Sequence, residues 1–164
     1  MEYRQLIPAD VQAFRHLRIM GLRSDPDSFL STPEEEENQP IAAFLKRIES
    51  NFALGVFAAN IMVGVALLSH DARKKRRHIG EVKAVFVSPE LRGKGIGRGL
   101  MEELEKHART LGIEQLELNV IDTNQGAIQL YRNLGYQEFG THPRAFKHGS
   151  SYLGGIYMVK FLNS

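Results

Sequence analysis

Three glycines fall on alternate positions in Arg92-Gly93-Lys94-Gly95-Ile96-Gly97, between two segments of different periodicity. Upstream, Glu81 to Val87 is a β-compatible run closed by Ser88-Pro89. Downstream, from Gly97 on, Leu100, Met101, Leu104, Ala108 and Leu111 recur at helical spacing until Gly112 stops the pattern. Strand, glycine turn and helix in that order set a helix N-terminus beside a strand end. Its backbone N–H groups then face outward at the positive end of the helix dipole. Glycine lets an anion approach those amides, while Arg92, Lys94 and Arg98 add positive charge around the opening, so a pyrophosphate is the natural guest. A tight connection without a ligand has the same local pattern, so the turn alone does not assign a function.

The remaining pattern fills out one α/β domain spanning residues 1–164. Tyr3 to Ile7 reads as a short strand, and Pro8-Ala9-Asp10 opens a helix carrying Val11, Phe14, Leu17 and Gly21 on one face. Thr32-Pro33-Glu34-Glu35 has the proline and acidic residues of a helix start, and Ile41, Phe44, Leu45 and Ile48 mark a second helical stripe. Phe52 to Ala59 and Ile61 to Ser69 read as a hairpin turning at Asn60, followed by a polar loop from His70 to His78. Gln115 to Val120 alternates as a strand, Asn124 to Leu134 is helical up to Gly135, and two strands close the chain at Tyr136–Phe146 and Tyr152–Leu162. The segment between these last strands, Phe146 to Tyr152, is expected to be a loop. The sum is a mixed sheet with helices on both faces.

Composition removes several classes of function. The chain has 164 residues, 43% of them hydrophobic, which suffices for a core without staples. It has no cysteine, so disulfides, thiolate metal sites and a cysteine nucleophile are excluded. Charge is near balance at +2, the start of the chain has no apolar leader, and no run reaches the roughly 18 apolar residues of a membrane span. The expectation is a cytoplasmic protein with no membrane partner. No two of the six histidines stand at metal-ligand helical spacing, so no metal is expected. Gly149-Ser150-Ser151-Tyr152-Leu153 lacks the final glycine of a nucleophile elbow. The basic run Arg73 to Arg77 has no interleaved aromatics to stack on bases, so a solvated loop is the better reading than a nucleic-acid contact.

Spacing also separates the phosphate-binding motifs. A P-loop requires a hydroxyl residue after Gly-Lys, but Gly95 follows Lys94. A dinucleotide fingerprint started at Gly93 or Gly95 places its third glycine on Arg98 or Leu100. What remains, Arg-x-x-Gly-x-Gly after a strand ending in Val-Ser-Pro, resembles the coenzyme A signature of the GNAT superfamily of N-acetyltransferases. A second segment, Asn124-Gln125-Gly126-Ala127-Ile128-Gln129-Leu130-Tyr131 leading to Gly135-Tyr136, resembles the other signature of that family. The resemblance covers about Glu81 to Phe139.

The resemblance implies a central, mostly antiparallel sheet of seven strands with four helices, splayed between the fourth and fifth strands. It implies acetyl-CoA as acyl donor, with the amides of Gly93, Lys94, Gly95, Ile96 and Gly97 on the pyrophosphate. Val85, Phe86 and Val87 form the segment for the pantetheine arm, with the backbones of Val85 and Val87 pairing to it as to an added strand. Asn124 also bonds the arm, and the hydroxyl of Tyr131 lies near the sulfur as general acid. Glu81 occupies the position of the glutamate base of some members; His78, Glu117 and Asn119 are alternates. Glu117 and Asn119 share the strand face opposite Leu118, so either could border the cleft. A base is chemically needed, since a lysine-like amine of pKa about 10.4 is almost entirely protonated at neutral pH. Glu34 to Glu37 either steer a cationic amine or stabilise a helix start. The acceptor is a small-molecule or protein amine, and a homodimer rests on analogy alone. A sensor that binds acyl-CoA without turnover would keep the same two signatures.

Overall fold

The computed structural model describes residues 1–162. The order of elements is β1 Glu2–Gln5, α1 Val11–Ser24, α2 Pro33–Glu37, α3 Ile41–Glu49, β2 Phe52–Ala58, β3 Ile61–His70, β4 Ile79–Val87, α4 Ile96–Thr110, β5 Gln115–Ile121, α5 Gln125–Asn133, β6 Gln137–His148 and β7 Ser151–Phe161. Helices α1, α3, α4 and α5 have nine or more residues each, and α2 has five. The strands form one sheet in the order β1-β2-β3-β4-β5-β7-β6. All neighbours are antiparallel except β4 and β5.

Strand β3 shows how sequence becomes layers. Its unbroken apolar run sends Met62, Val65 and Leu67 into one core and Val63, Ala66 and Leu68 into the other, so both faces of the sheet are covered. Phe14 and Leu17 of α1 with Phe44 and Ile48 of α3 fill the first core; Leu100, Met101 and Leu104 of α4 with Ile128 and Tyr131 of α5 fill the second. Turn chemistry fixes the hairpins. Ala59 and Asn60 both have positive φ, 47° and 67°, which allows a two-residue connection between β2 and β3.

The expected loop from Phe146 to Tyr152 is instead the tip of a long hairpin. His148 pairs with Ser151, leaving Gly149 and Ser150 in the turn, where Gly149 adopts φ 59°. The polar and glycine-containing tip, Lys147 to Ser151, has the composition of a loop, yet the pairing continues through Lys147 and His148. Pro143, inside the expected strand, is accommodated by a register shift between His142 and Phe146, with Arg144 at φ 54°.

The sheet is splayed where the resemblance places it. β4 and β5 pair only at Ile79 with Gln115, Gly80 with Leu116 and Glu81 with Glu117. Beyond Glu81, among the described residues, β4 pairs with β3 alone. A bulge at this point sets Ala84 at φ 51° and places one extra residue opposite Ala66.

On one side of the gap, α1, α2 and α3 are joined by a buried ionic triad. Thr32 and Glu35 cap α2 reciprocally, at 3.2 and 2.8 Å, which turns the next residue, Glu36, inward. Glu36 is 1% exposed and lies 2.9 Å from both Arg18 of α1 and Arg47 of α3. Burial pushes its carboxyl up, but hydrogen bonds and charge from the two arginines outweigh this and hold it below the usual glutamate range. The depressed folded-state value means that the stabilisation is complete above the unfolded-state pKa of about 4.3 and is lost as pH falls through the folded value. Replacing Glu36→Ala leaves two guanidinium groups facing each other without a counter-ion. Urea denaturation at pH 7 is expected to show a loss of about 3 kcal/mol, and the difference from the parent protein should shrink as the pH is lowered below about 4.

Candidate active site

The gap between β4 and β5 opens into a cleft of about 950 Å³ that runs from the glycine turn to the ends of α1 and α3. One wall is the unpaired part of β4. Ser88 donates its N–H back to Val63 of β3 at 2.9 Å, so the peptide groups of Val87, one residue earlier, point the other way, toward the cleft. The opposite wall is β5 and α5, represented in the lining by Leu118, Asn119, Asn124 and Tyr131.

At one end of the cleft, Gly93 and Gly95 have φ of 74° and 80°, and Gly95 is the N-cap of α4. A Cβ built on either glycine meets nothing within 4 Å, so the cradle is open and backbone conformation is what calls for glycine at both positions. Gly97 is different: a Cβ there would lie 3.2 Å from Leu130, so this glycine lets α4 close on α5. Arg92 does not extend freely over the cradle. It pairs with Asp25, donates to the carbonyl of Val87 at 3.1 Å and stacks 5.5 Å from the Phe86 ring centre. Arg98 pairs with Glu102 at 3.2 Å.

Tyr131 is 6% exposed yet borders the cleft, and its ring packs 5.8 Å from that of Tyr136. Burial pushes its phenol above the usual tyrosine range, so it stays protonated at neutral pH. Asn124 caps α5, accepting the N–H of Ala127 at 3.1 Å, and its amide donates to Ser28 at 3.1 Å. Glu81 also borders the cleft, but its side chain is 58% exposed and lies 2.8 Å from Lys83. Among the alternates, Asn119 lines the cleft against Gly155, whereas Glu117 accepts a bond from Gln115 at 2.9 Å outside the lining; His78 is also outside it.

Several cleft residues carry no sequence motif. Asp25 and Ser28 belong to the connection between α1 and α2, and this short strap touches three separate parts of the chain. Asp25 holds Arg92, Ser28 holds Asn124, and Asp27 contacts His148 at the tip of the β6–β7 hairpin. Arg92 keeps the Asp25 carboxyl below its ordinary range, mainly through its hydrogen bonds. Arg18, Glu36 and Arg47 also line the cleft. Arg18 sits among Phe14, Leu17 and Gly21 on the buried stripe of α1, and Arg47 lies between Phe44 and Ile48 of α3. A charged residue within an apolar stripe is the signal that could have singled them out.

The model of the Acetyltransferase (GNAT) family matches residues 17–136 of this chain. The chain belongs to the GNAT family. A curated relative, the N-alpha-acetyltransferase RimI of Mycobacterium tuberculosis, is 34% identical over 66% of this chain and 67% of its own. The streptothricin acetyltransferase of Streptomyces lavendulae is 36% identical over 54% of this chain and 45% of its own. Other curated relatives are matched over less of their own length, 28% for an N-acetyltransferase of Methanocaldococcus jannaschii and 19% for the mycothiol acetyltransferase of Nocardiopsis dassonvillei. Among solved structures, the yncA protein of Salmonella typhimurium, determined with its cofactor acetyl-CoA, superposes with a TM-score of 0.85 over 100% of this chain and 95% of its own, at 20% identity. A GNAT acetyltransferase of Streptococcus pneumoniae gives 0.77 over 98% of both chains, at 25% identity.

Among the described residues of this GNAT chain, no group of histidine, aspartate and glutamate could hold a metal ion, and no helix is long and apolar enough to cross a membrane. The left-handed backbone at Gly95 generates a direct test. Gly95→Val forces a β-branched residue into that conformation and is expected to destabilise the fold by about 1–2 kcal/mol in urea denaturation. Calorimetry on the folded variant should show acetyl-CoA affinity reduced at least tenfold.

Proposed function

We propose that the protein is an N-acetyltransferase that moves an acetyl group from acetyl-CoA to a primary amine by direct transfer within a ternary complex. The observation that carries this reading is the free edge of β4 beyond Glu81, which leads into the open glycine cradle at the start of α4. An amide-containing arm ending in a pyrophosphate fits that combination: strand addition suits the arm, and a helix N-terminus suits the anion.

In this mechanism the backbones of Val85 and Val87, with Phe86 between them, hold the pantetheine arm along β4. The amides from Gly93 to Gly97 hold the pyrophosphate, aided by Lys94 and Arg98. Arg92 joins them by exchanging Asp25 for phosphate, and Asn124 exchanges Ser28 for an amide of the arm. Held this way, the thioester faces the acceptor end of the cleft, and juxtaposition supplies much of the rate enhancement. Glu81, the last residue of β4 that pairs with β5, accepts a proton from the acceptor ammonium directly or through water and leaves the neutral amine to attack. Backbone N–H groups of the strand polarise the thioester oxygen. As the C–S bond breaks, Tyr131 gives its proton to the sulfur, which leaves as the coenzyme A thiol, and the phenol regains a proton from the nitrogen of the tetrahedral intermediate as the amide forms. No residue is acylated along this route.

The names of two relatives support an amine acceptor. RimI is named an N-alpha-acetyltransferase and the Streptomyces enzyme a streptothricin acetyltransferase, and both names point to amine acceptors.

Thiol release from acetyl-CoA across a panel of amines tests the activity. Tyr131→Phe should lower kcat about a hundredfold or more while changing acetyl-CoA affinity less than threefold. Equal turnover would remove Tyr131 from the acid role, and acetyl-CoA binding without thiol release from any amine would make the protein a sensor. Because burial raises the Tyr131 phenol, the ratio of parent to Tyr131→Phe turnover is expected to stay constant from pH 7 to about pH 9.5. A ratio that collapses within that window would show that the phenol ionises there.

A further inference from the structure

The charged groups along the cleft do not cancel evenly. Arg92 is answered by Asp25, Lys83 by Glu81 and Arg98 by Glu102. On the wall formed by the amino-terminal helices, the two guanidinium groups of Arg18 and Arg47 share one carboxylate, that of Glu36. One positive charge is left over in a place where Arg18 is 13% and Arg47 30% exposed. Glu34 and Glu35 are exposed on α2 and are not part of the cleft lining, so they do not neutralise this surplus at close range.

The arginines also retain donors. Arg18 spends Nε and Nη2 on Glu36, and among the described residues its Nη1 donates to no protein group. Arg18 itself lines the cleft. The guanidinium carbon of Arg18 lies over Phe29, 4.8 Å from the ring centre, and that of Arg47 over Phe44 at 5.0 Å, which limits their freedom before any ligand arrives. Leaving a half-buried surplus cation at a cleft wall is unfavourable unless an anion completes it.

We propose that the acceptor amine also carries a carboxylate, and that Arg18 and Arg47 bind this group while the amine faces the thioester. The acceptor class is then that of amino acids with a free carboxylate, with Phe29 available to an apolar side chain. This rests on the acetyltransferase reading for its reaction, but its recognition step can be measured without turnover.

The first experiment compares amino acids with their carboxamides as acceptors in thiol release by the intact protein. Removing the carboxylate charge lowers the pKa of the amine and leaves more of it neutral, so intrinsic reactivity favours the amide. A kcat/KM at least about tenfold higher for the acids, expressed mainly in KM, is therefore expected from the pocket. Arg47→Gln leaves the Arg18–Glu36 pair in place, and in this variant the acid-to-amide ratio should fall to within about threefold of unity. The second experiment measures calorimetric binding of N-acetyl amino acids and of their amides to the same two proteins. Binding of the acids that weakens in Arg47→Gln supports the inference even if no thiol is released, in which case the acetyltransferase reading fails alone. Equal use or equal binding of acids and amides by the parent protein, absence of binding by both, or a preference unaltered in the variant, overturns it.

Discussion

Strands β4 and β5 pair over three residues and then separate, and the rest of the molecule is arranged around that separation. A parallel pair ordinarily continues until one strand ends. Here the bulge at Ala84 changes the course of β4, and the chain leaves it through the glycine turn into α4. The peptide groups freed by the split face neither water alone nor another strand, but a cleft whose other wall carries Tyr131 and Asn124. Buried or half-buried backbone groups need partners, so a split sheet invites a ligand able to supply amides of its own.

The two cores serve this arrangement differently. On one face, α4 and α5 pack against the sheet with Gly97 allowing close approach to Leu130, which sets the helix N-terminus beside the end of β4. On the other face, Gly21 leaves room for the Phe86 ring, since a Cβ there would come within 3.0 Å of it. The ring of Phe86 therefore anchors the free part of β4 to α1 instead of to β5. Short α2 adds little apolar area, and its position depends on the inward turn of Glu36 between two arginines.

Much of this was legible in the chain. The apolar runs of β2 and β3, the stripe of α4 and the glycines that end α4 and α5 each follow a local rule, and the structure reproduces those elements within a few residues. Arg92 to Gly97 and Asn124 to Tyr131 pointed to the cleft because backbone geometry demands glycine in the first and helical spacing joins the ends of the second. The triad of Arg18, Glu36 and Arg47 was not legible, because its members are separated in sequence and meet only when three helices pack. For the same reason, Glu36 read as one of four equivalent acidic residues until its side chain proved to be turned inward. The tip of the β6–β7 hairpin was not legible, because Lys147 to Ser151 is polar with a glycine, the composition of a loop, while the backbone pairs through Lys147 and His148 to a two-residue turn.

The strap from Asp25 to Ser28 has a thermodynamic corollary. Its contacts to Arg92 and Asn124 use the same donors that a nucleotide-bearing ligand would approach, while its remaining contact reaches His148 on the far hairpin. Any molecule that claims those donors shifts the strap's equilibrium between latched and released forms, and the latched form in turn weakens that molecule's hold by an equal free energy. Occupancy at the cradle and the shape of the opposite mouth are thus reciprocal variables, linked through one short stretch of chain.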